Sequence, residues 1–451
     1  MEVVSKELDA KHIQMTTQPV EKLIGRLALP SIAIMLVSSF YNMADTYFVG
    51  SIGTSATAAV GVVFSLMAMI QAIGFFFGHG AGNYISRELG AQNVEMASQM
   101  AATGFFSALI AGCVITIAGL LNMEPLAMAL GSTQTILPHA KEYMTYILLG
   151  APFMAASLML NNLLRFQGSS FYGMIGMVTG AIVNIALDPL FIFVFHMGVS
   201  GAGLATFLSQ VISFVLLLNG CMRKDNIRIR FRHFKPSMAA YKEMFRGGTP
   251  SLCRQGLGSI GVICLNQRAG LYGDVAIAAI SIVQRVTMFA GSALLGFGQG
   301  FQPVCGYNYG AKLYARVKQA YRFCIKVSTI ALIALAGAGL VFAPQIITFF
   351  RQDDIEVIQI GSLALRMQCA VFPLLGYVII NNMMMQTMGK AVRASILAMA
   401  RQGLFLIPIL FLLSPIFGLL GVQMSQPVAD IATFILTIPL SRSIFKEMDN
   451  S

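Results

Sequence analysis

The feature that most constrains this sequence is an internal repeat. Residues 30–91, shifted by 220 positions, align with residues 250–311 without a gap, and the match resumes further on with a one-residue offset. Such self-similarity indicates two copies of one structural unit, and in a hydrophobic chain it is typical of two-lobed transporters. The matched pairs include Pro30 and Pro250, Gly50 and Gly270, Gly53 and Gly273, Gly80 and Gly300, Gly90 and Gly310, and Gly168 and Gly389.

The composition places both copies in a membrane. Hydrophobic residues make up 56% of the 451 residues and charged residues only 11%, which is unlike a water-soluble domain. Apolar stretches of about 20 residues, enough to cross about 30 Å of hydrocarbon, recur along the chain. We predict an all-α integral membrane protein with twelve spanning helices, six per repeat. The predicted spans are 28–49, 56–80, 97–121, 139–163, 171–195, 201–220, 250–271, 276–300, 324–347, 360–385, 394–414 and 421–441.

The net charge of +11 is concentrated at alternate connections between these spans. Residues 221–249 contain eight Lys or Arg residues against two acidic ones, whereas the connections at 50–55 and 196–201 have almost no charge. By the positive-inside rule, this asymmetry predicts that both termini and the 221–249 connection are cytoplasmic. We therefore interpret the basic excess as a topology signal and not as a nucleic-acid site.

Six spans per repeat give both repeats the same orientation in the membrane. The two lobes should then be related by a pseudo-two-fold axis along the membrane normal, with a cleft between them that opens to either side by alternating access. The predicted segments are a cytoplasmic N-terminal segment 1–22, an N-lobe 23–220, a basic cytoplasmic linker 221–249, a C-lobe 250–441 and a cytoplasmic tail 442–451.

Ionisable residues inside the predicted spans are few. A charge at the bilayer centre costs roughly 2.5 to 3.5 kcal/mol, so each one needs a partner or a function. Asp45 has Tyr41 one helical turn before it, Asp188 has Asn184 in the same relation, and Thr206 lies at a similar depth to Asp188 in the next span. Their oxygens suit a proton or a Na⁺ ion. A polar cluster that only braces the N-lobe is the alternative interpretation.

The C-lobe contains a second candidate pair, Arg401 in the eleventh span and Asp430 in the twelfth. Their depths allow an ion pair that holds the lobe together, and a contact between Asp430 and a cationic substrate is the other interpretation. The seven cysteines form no C-x-x-C pair. We therefore expect no resident metal and no organic cofactor.

Pro30 lies inside the first span, as its repeat partner Pro250 does in the seventh. Because proline lacks a backbone donor and its ring crowds the preceding turn, a helix can bend there. We predict that Pro30 is a working hinge, since Asp45 lies on the same helix. A static kink is the alternative for Pro30 and an equal interpretation for Pro250.

These residues resemble the multidrug and toxic compound extrusion (MATE) family over essentially the whole chain. The resemblance rests on Pro30 with Asp45, on Asn184 and Asp188 in the stretch NIALDPLF, and on Thr206 in GAGLATFLSQ. The stretches ARQGLFLIP at 400–408 and QPVAD at 426–430 look like a MepA-like bacterial branch of that family.

The resemblance implies export of bulky lipophilic, often cationic drugs in exchange for H⁺ or Na⁺, with no cofactor. By position, the family's cation site corresponds here to Asp45, Asn184, Asp188 and Thr206. The network around that site corresponds to Tyr41 and Asn161, and the proline at which the family's first helix bends corresponds to Pro30. It also implies a monomer in a bacterial cytoplasmic membrane. The chain departs from the family in one respect. Some relatives carry a glutamate in the membrane part of the seventh span, whereas the polar residues in the seventh span of this chain are Arg254, Gln255 and Asn266.

Two other functions compete with drug antiport. A flippase or exporter of a lipid-linked saccharide would share the architecture, but it should expose a strongly basic cleft, and few cations lie inside the predicted spans. An intramembrane enzyme would need a reactive constellation, such as paired aspartates in a G-x-G-D context. The sequence contains no such motif, so we expect a secondary transporter and not an enzyme.

Overall fold

The chain folds into long helices joined by short connections. A computed structural model describes residues 2–351 and 354–450, except for the side chains of residues 2–6, 42, 43, 45, 46, 50 and 54. The first half contains α1 (Glu2–Thr17), α2 (Val20–Gly50), α3 (Thr54–Gly90), α4 (Val94–Leu121), α5 (Met123–Ala129), α6 (Leu137–Phe166), α7 (Ser170–Pro189) and α8 (Gly198–Cys221). The second half contains α9 (Met238–Gly270), α10 (Asp274–Gly310), α11 (Tyr314–Phe350), α12 (Ile355–Thr387), α13 (Ala391–Met399), α14 (Leu406–Phe417) and α15 (Leu419–Asp449).

Twelve helical segments of the described chain have the length of a membrane span. Eleven of them are also apolar enough, with α13 and α14 counted together. The twelfth is α9, which has 33 residues but carries several Arg, Lys and amide side chains. It begins at Met238, so the second part of the connection predicted at 221–249 is helical. Most helices also extend beyond the apolar stretches that predicted them, because backbone hydrogen bonding continues outside the apolar stretch.

The repeat seen in the sequence is visible in the turns. Gly53 and Gly273 have φ values of 150° and 98°, and each immediately precedes a 37-residue helix, α3 or α10. Gly168 and Gly389 have φ values of 83° and 75° in the connections after α6 and α12. An L side chain rarely adopts such φ values, so glycine is required at these turns in both halves.

Helices α2–α8 form the N-lobe and α9–α15 form the C-lobe. The chain ends, α1 and the connection 222–237 lie on one face of the molecule, which we call the termini face; the other face carries the turns at 51–53, 195–197, 271–273 and 418. Within each lobe the helices pack side by side, for example the parallel helices α6 and α8 in the N-lobe and the antiparallel helices α11 and α12 in the C-lobe. The lobes meet where α2 packs on α10 and α3 packs on α9.

Among the described residues, buried apolar side chains form three clusters, and only one of them joins the two lobes. One cluster belongs only to the N-lobe and another only to the C-lobe, and both lie toward the face opposite the termini. The third contains side chains of both lobes and lies in the half near the termini face; its members include Ile85, Leu164, Met244, Phe301 and Met384. The lobes therefore share one core near the termini face and have separate cores beyond it, which leaves a cleft toward the opposite face.

Glycines bring the two lobes into backbone contact at the termini face. A Cβ on Gly310 would overlap the Arg87 carbonyl oxygen, and a Cβ on Gly90 would overlap the Tyr307 carbonyl oxygen. The 220-residue shift converts one contact into the other, so the pair is pseudo-symmetric. Small residues at such a crossing allow the close approach of helices in membranes.

Polar contacts reinforce this closed side. Arg87 Nη1 of the N-lobe donates to the Thr387 carbonyl oxygen of the C-lobe at 2.7 Å, and Arg87 Nη2 lies 3.2 Å from Glu243 Oε2. In the opposite direction, the Tyr307 hydroxyl of the C-lobe donates to the Gln167 carbonyl oxygen at 3.4 Å. Arg87 and Tyr307 are repeat partners, so different side chains make equivalent ties across the lobes.

The first helix, α1, crosses the termini face and contacts both lobes. Lys11 Nζ donates to Ser169 Oγ at 2.5 Å and to Asn226 Oδ1 at 2.9 Å. Side chains of the C-lobe, Asn308 and Arg316, donate to main-chain carbonyl groups at the end of α1 at 3.1 and 2.6 Å. Burial lowers the pKa of the Lys11 ammonium group to about 8. The predicted N-terminal segment 1–22 therefore includes a docked helix.

Candidate ion site in the N-lobe

Three residues predicted for the ion site lie together in the helical pair α7 and α8. Asn184 and Asp188 are one turn apart on α7, Thr206 lies on α8, and all three are fully buried. In one amide orientation, Asn184 Nδ2 donates to Thr206 Oγ1 at 3.3 Å. In the other, the amide nitrogen donates to Asp188 Oδ2 and the amide oxygen accepts from the Thr206 backbone N–H, both at 3.2 Å. The second orientation satisfies both ends of the amide, so Asn184 connects the carboxylate to α8.

The backbone beside Asp188 departs from a regular α-helix. Pro189 follows Asp188 directly, and residues Leu190–Val194 form a π-helical turn before the chain reverses into α8. Proline has no N–H to donate to the carbonyl group of Ile185, four residues earlier. Insertions of this kind in membrane helices are frequent at functional sites, where extra backbone oxygens become accessible to a ligand.

The first helix of the N-lobe lies against this pair. Helix α2 packs along α7 and also contacts α8, and it includes Tyr41, which is partly buried. Asp45 lies one turn further along α2, but its side chain falls outside the part of the chain that the structure describes. The backbone therefore puts the first helix and its acidic position beside the helix of Asp188.

Asn161 does not lie in this cluster. It is buried in α6 and packs against Gly173, near the start of α7, where its Oδ1 would be 2.6 Å from a glycine Cβ. Asn184 lies about three turns further along α7. In the antiparallel pair of α6 and α7, Asn161 thus lies close to the termini face, about three helical turns from Asn184. This position does not support the family-based assignment of Asn161 to the ion network.

The chemistry of the cluster is that of a small cation site. A buried carboxylate, an amide and a hydroxyl provide oxygen atoms at one depth, and desolvation favours a bound cation or a proton on the carboxylate. Among the described residues, no group of three His, Cys, Asp or Glu side chains could hold a transition metal. The arrangement can bind one monovalent cation or exchange one proton.

The C-lobe pair has a different environment. Arg401 Nε donates to Asp430 Oδ1 at 2.8 Å, and Asp430 is fully buried. Gln368 Nε2 donates to Asp430 Oδ2 at 2.7 Å and Gln426 Nε2 to Oδ1 at 3.0 Å. The carboxylate is thus surrounded by three donors, one of them a cation. Sequence reasoning missed Gln368 because it lies on another helix, α12, whose rotation the repeat does not reveal.

Pro30 lies at the crossing of the two lobes. It is buried within α2, next to Ser31, whose hydroxyl donates to the Leu27 carbonyl oxygen at 3.2 Å. On α10, a Cβ at Gly296 would be 2.6 Å from Ile32 Cα. The proline therefore lies where α2 passes over the C-lobe, between the termini face and the acidic position.

Two pseudo-symmetric helical lobes, a cleft that is closed at one face, and a buried oxygen cluster in one lobe define a multi-pass membrane transporter of the two-lobed type. Comparison with known proteins gives the family. The MatE family model matches residues 30–190 and 257–412, so the chain belongs to the MatE, or MATE, family.

The individual relatives are multidrug exporters. The chain is 28% identical to the multidrug export protein MepA of Staphylococcus haemolyticus over 411 residues, which are 91% of this chain and 90% of that protein. Identity to MepA of Staphylococcus aureus strain NCTC 8325 is also 28%, over 414 residues and 91% of each chain. A solved multidrug resistance MATE transporter in an outward-facing conformation has a TM-score of 0.92 at 28% identity, covering 97% of this chain and 99% of that one. The protein is therefore a multidrug efflux transporter of the secondary type, and not an enzyme.

Proposed function

We propose that this transporter is an antiporter that exports lipophilic, often cationic drugs in exchange for H⁺ or Na⁺ bound in the N-lobe. The observation that carries the proposal is the buried contact set of Asn184, Asp188 and Thr206. Tyr41 and Asp45 on α2 complete the proposed site. A buried carboxylate changes its charge by one unit when it binds or releases a monovalent cation, and this change can be coupled to the position of the helix beside it.

The charge distribution supports an orientation in the membrane. Basic residues cluster at the termini face, and the positive-inside rule then makes this face cytoplasmic in a bacterial cell membrane. The structure would accordingly be outward-facing, with its cleft open to the exterior. The basic residues at this face include Arg223, Lys224, Arg228, Arg230, Arg232, Lys312, Arg316, Lys390 and Arg393.

The coupling step in this proposal is a change in α2. The helix carries the acidic position at one end and crosses α10 at Pro30, so a bend at Pro30 would link cation binding to the lobe contact. Alternating access then requires the shared core and the glycine contacts at the termini face to separate. We further propose that one chain is sufficient for transport, since each chain contains both lobes and its own cleft.

The substrate would enter the cleft between the lobes as a bulky apolar molecule. Asp430 is already matched by Arg401 and two glutamines, which supports a bracing role for the pair over a direct contact with a cationic drug. The positive charge of a substrate is then balanced by the N-lobe site, which releases its own cation during the exchange.

The coupling ion can be tested with ionophores. Cells expressing the protein are loaded with a fluorescent monovalent lipophilic cation, and its efflux is followed with imposed gradients. Exchange of one such cation for one proton moves no net charge, so only the pH difference drives it. Efflux should collapse with nigericin in potassium buffer, which removes the pH gradient, and should survive valinomycin, which removes the potential.

Other outcomes of this experiment assign the ion differently. Loss of efflux on removal of external Na⁺, with indifference to both ionophores, would mean that the site binds Na⁺. Sensitivity to valinomycin would mean that more than one cation enters per drug. Efflux that continues without either gradient would contradict ion-coupled antiport.

Replacement of Pro30 by alanine tests the hinge. A straight α2 would still present Asp45 but would resist bending, so we expect efflux to slow clearly while dye binding remains close to wild type. Efflux rate, binding affinity and membrane abundance should be measured together. A stable Pro30→Ala protein with normal efflux would show that the kink is static, and Pro152→Ala in α6 is a matched control for removing a helical proline.

A further inference from the structure

Several cations in the spanning helices form no ion pair in the described structure, and Arg254 is one of them. Arg254 lies in α9, and none of the ion pairs formed by described residues includes it. A guanidinium group at membrane depth is costly unless it meets water or an anion. Arg254 is only partly buried, so it lines accessible space.

The position of Arg254 on α9 puts it at the floor of the cleft. One turn toward the termini face, Ser251 is fully buried and accepts a hydrogen bond from Gln386 at 2.8 Å. Below it, Gly247 packs against Gly80 of the N-lobe. One turn in the other direction, Gly258 has no neighbouring atom within 4 Å of a Cβ position. Arg254 thus lies where the contact between the lobes ends and open space begins.

The chain itself supplies a comparison. The tetrapeptide Arg-Gln-Gly-Leu occurs at 254–257 in α9 and again at 401–404 in the π-helical turn after α13. The two copies are neighbours, because a Cβ on Gly403 would be 2.7 Å from Leu257 Cδ1. Arg401 is paired with Asp430 at 2.8 Å, whereas no carboxylate among the described side chains forms an ion pair with Arg254. The stability of the C-lobe therefore accounts for the guanidinium group of Arg401, but it leaves the guanidinium group of Arg254 unexplained.

The surroundings of Arg254 are also basic. Arg165 of the N-lobe lies near it across the lobe interface. Arg165 is held in place by Gln302 Oε1 at 2.6 Å and by the Gln299 carbonyl oxygen at 3.2 Å, both on α10. Since no described carboxylate forms an ion pair with Arg165 or Arg254, the local field at the floor of the cleft is positive.

We propose that Arg254 is a subsite for an anionic oxygen group, a carboxylate or a phosphate, on the amphiphilic substrate. A guanidinium presents a planar set of donors that matches either group. The proposal rests on the exporter function proposed above and narrows it. The pump would prefer molecules that combine an apolar ring system with an anionic group, such as zwitterions, over otherwise identical molecules in which that group is masked.

The test uses rhodamine B, which has a free carboxylate, and its ethyl ester, which lacks one. Binding of each dye to the purified full-length protein in nanodiscs is measured for wild type, Arg254→Gln, Arg254→Lys and Arg268→Gln. Arg268 is the control because it lies on the same helix and packs over the Phe411 ring at 4.1 Å. Dodecyl phosphate serves as a competitor that offers a phosphate in place of a carboxylate.

We expect Arg254→Gln to weaken rhodamine B binding by about ten-fold, the scale of one charge-assisted hydrogen bond, and to leave the ester unchanged. Arg254→Lys should recover part of the affinity, and Arg268→Gln should have no effect. A stronger loss for dodecyl phosphate than for rhodamine B would identify phosphate as the preferred group. Equal losses for acid and ester would overturn the subsite while leaving the exporter intact, and a wild-type protein that binds neither dye would overturn both.

Discussion

Export of a lipophilic cation should fall to the level of cells without the protein when Asp188 is replaced by asparagine. The substitution removes the only titrating group among the three contacting residues of α7 and α8, yet nearly preserves its shape. The neighbouring Asn184 amide can still bond to an amide oxygen, so the lobe should fold and insert normally. Dye efflux and membrane abundance of Asp188→Asn are measured in the same cells.

A second acidic position and a matched control make this experiment decisive. Asp45→Asn should cause the same loss, because the proposed site contains both carboxylates. Asp274→Asn removes an exposed carboxylate at the start of α10, far from the N-lobe site, and should leave efflux unchanged. If Asp188→Asn and Asp45→Asn both export the dye as the wild type does, the cluster does not couple the ion to transport, and it only braces the N-lobe.

Replacement of Gly310 by valine should also stop transport, for a mechanical reason. A side chain at this position would overlap the Arg87 carbonyl oxygen, so the lobes could not approach as closely as they do at the termini face. The closed side should then remain partly open, and the cycle should stall. The native Cys305, which is fully buried in the shared core, reports the opening through its reaction with a maleimide when the other cysteines are replaced.

The expected result is faster labelling of Cys305 in Gly310→Val, together with loss of efflux at normal abundance. Gly61→Val is the control, because Gly61 lies in α3 with no atom within 4 Å of a Cβ position. Gly90→Val should reproduce the effect through the pseudo-symmetric contact with Tyr307. Slow labelling and normal efflux in Gly310→Val would mean that the glycine contact does not limit the lobe approach.

The repeat predicted more of the fold than hydropathy did. Helix α9 is too rich in Arg, Lys and amide side chains to qualify as a span by the hydropathy of its full length, whereas the repeat aligns it with the spanning helix α2 through Pro30 and Pro250. The docked helix α1 was missed, because its contacts are with residues such as Ser169, Asn308 and Arg316 that are distant in sequence. No local pattern encodes a docking partner.

The same distinction explains the site predictions. The short connection between α7 and α8 fixed the relative depth of Asp188 and Thr206, so their proximity could be predicted from counting residues. Asn161 was assigned by resemblance alone, and the pairing of α6 with α7 puts it near Gly173 instead. Gln368 could not be found, because the rotation of α12 about its axis depends on packing against α11 and α15.

The core shared by the two lobes has a consequence for how the protein is made. Side chains of α3 and α6 in that core find their partners on α9 and α10, which are synthesised later. At about 5 to 20 residues per second, the ribosome needs about 10 to 40 s to translate a stretch equal to the repeat shift. During that interval the first lobe lies in the membrane with its glycines and apolar side chains uncovered. A nascent chain of this kind is exposed to premature pairing with a neighbouring copy, and its final fold is reached only when the second lobe arrives.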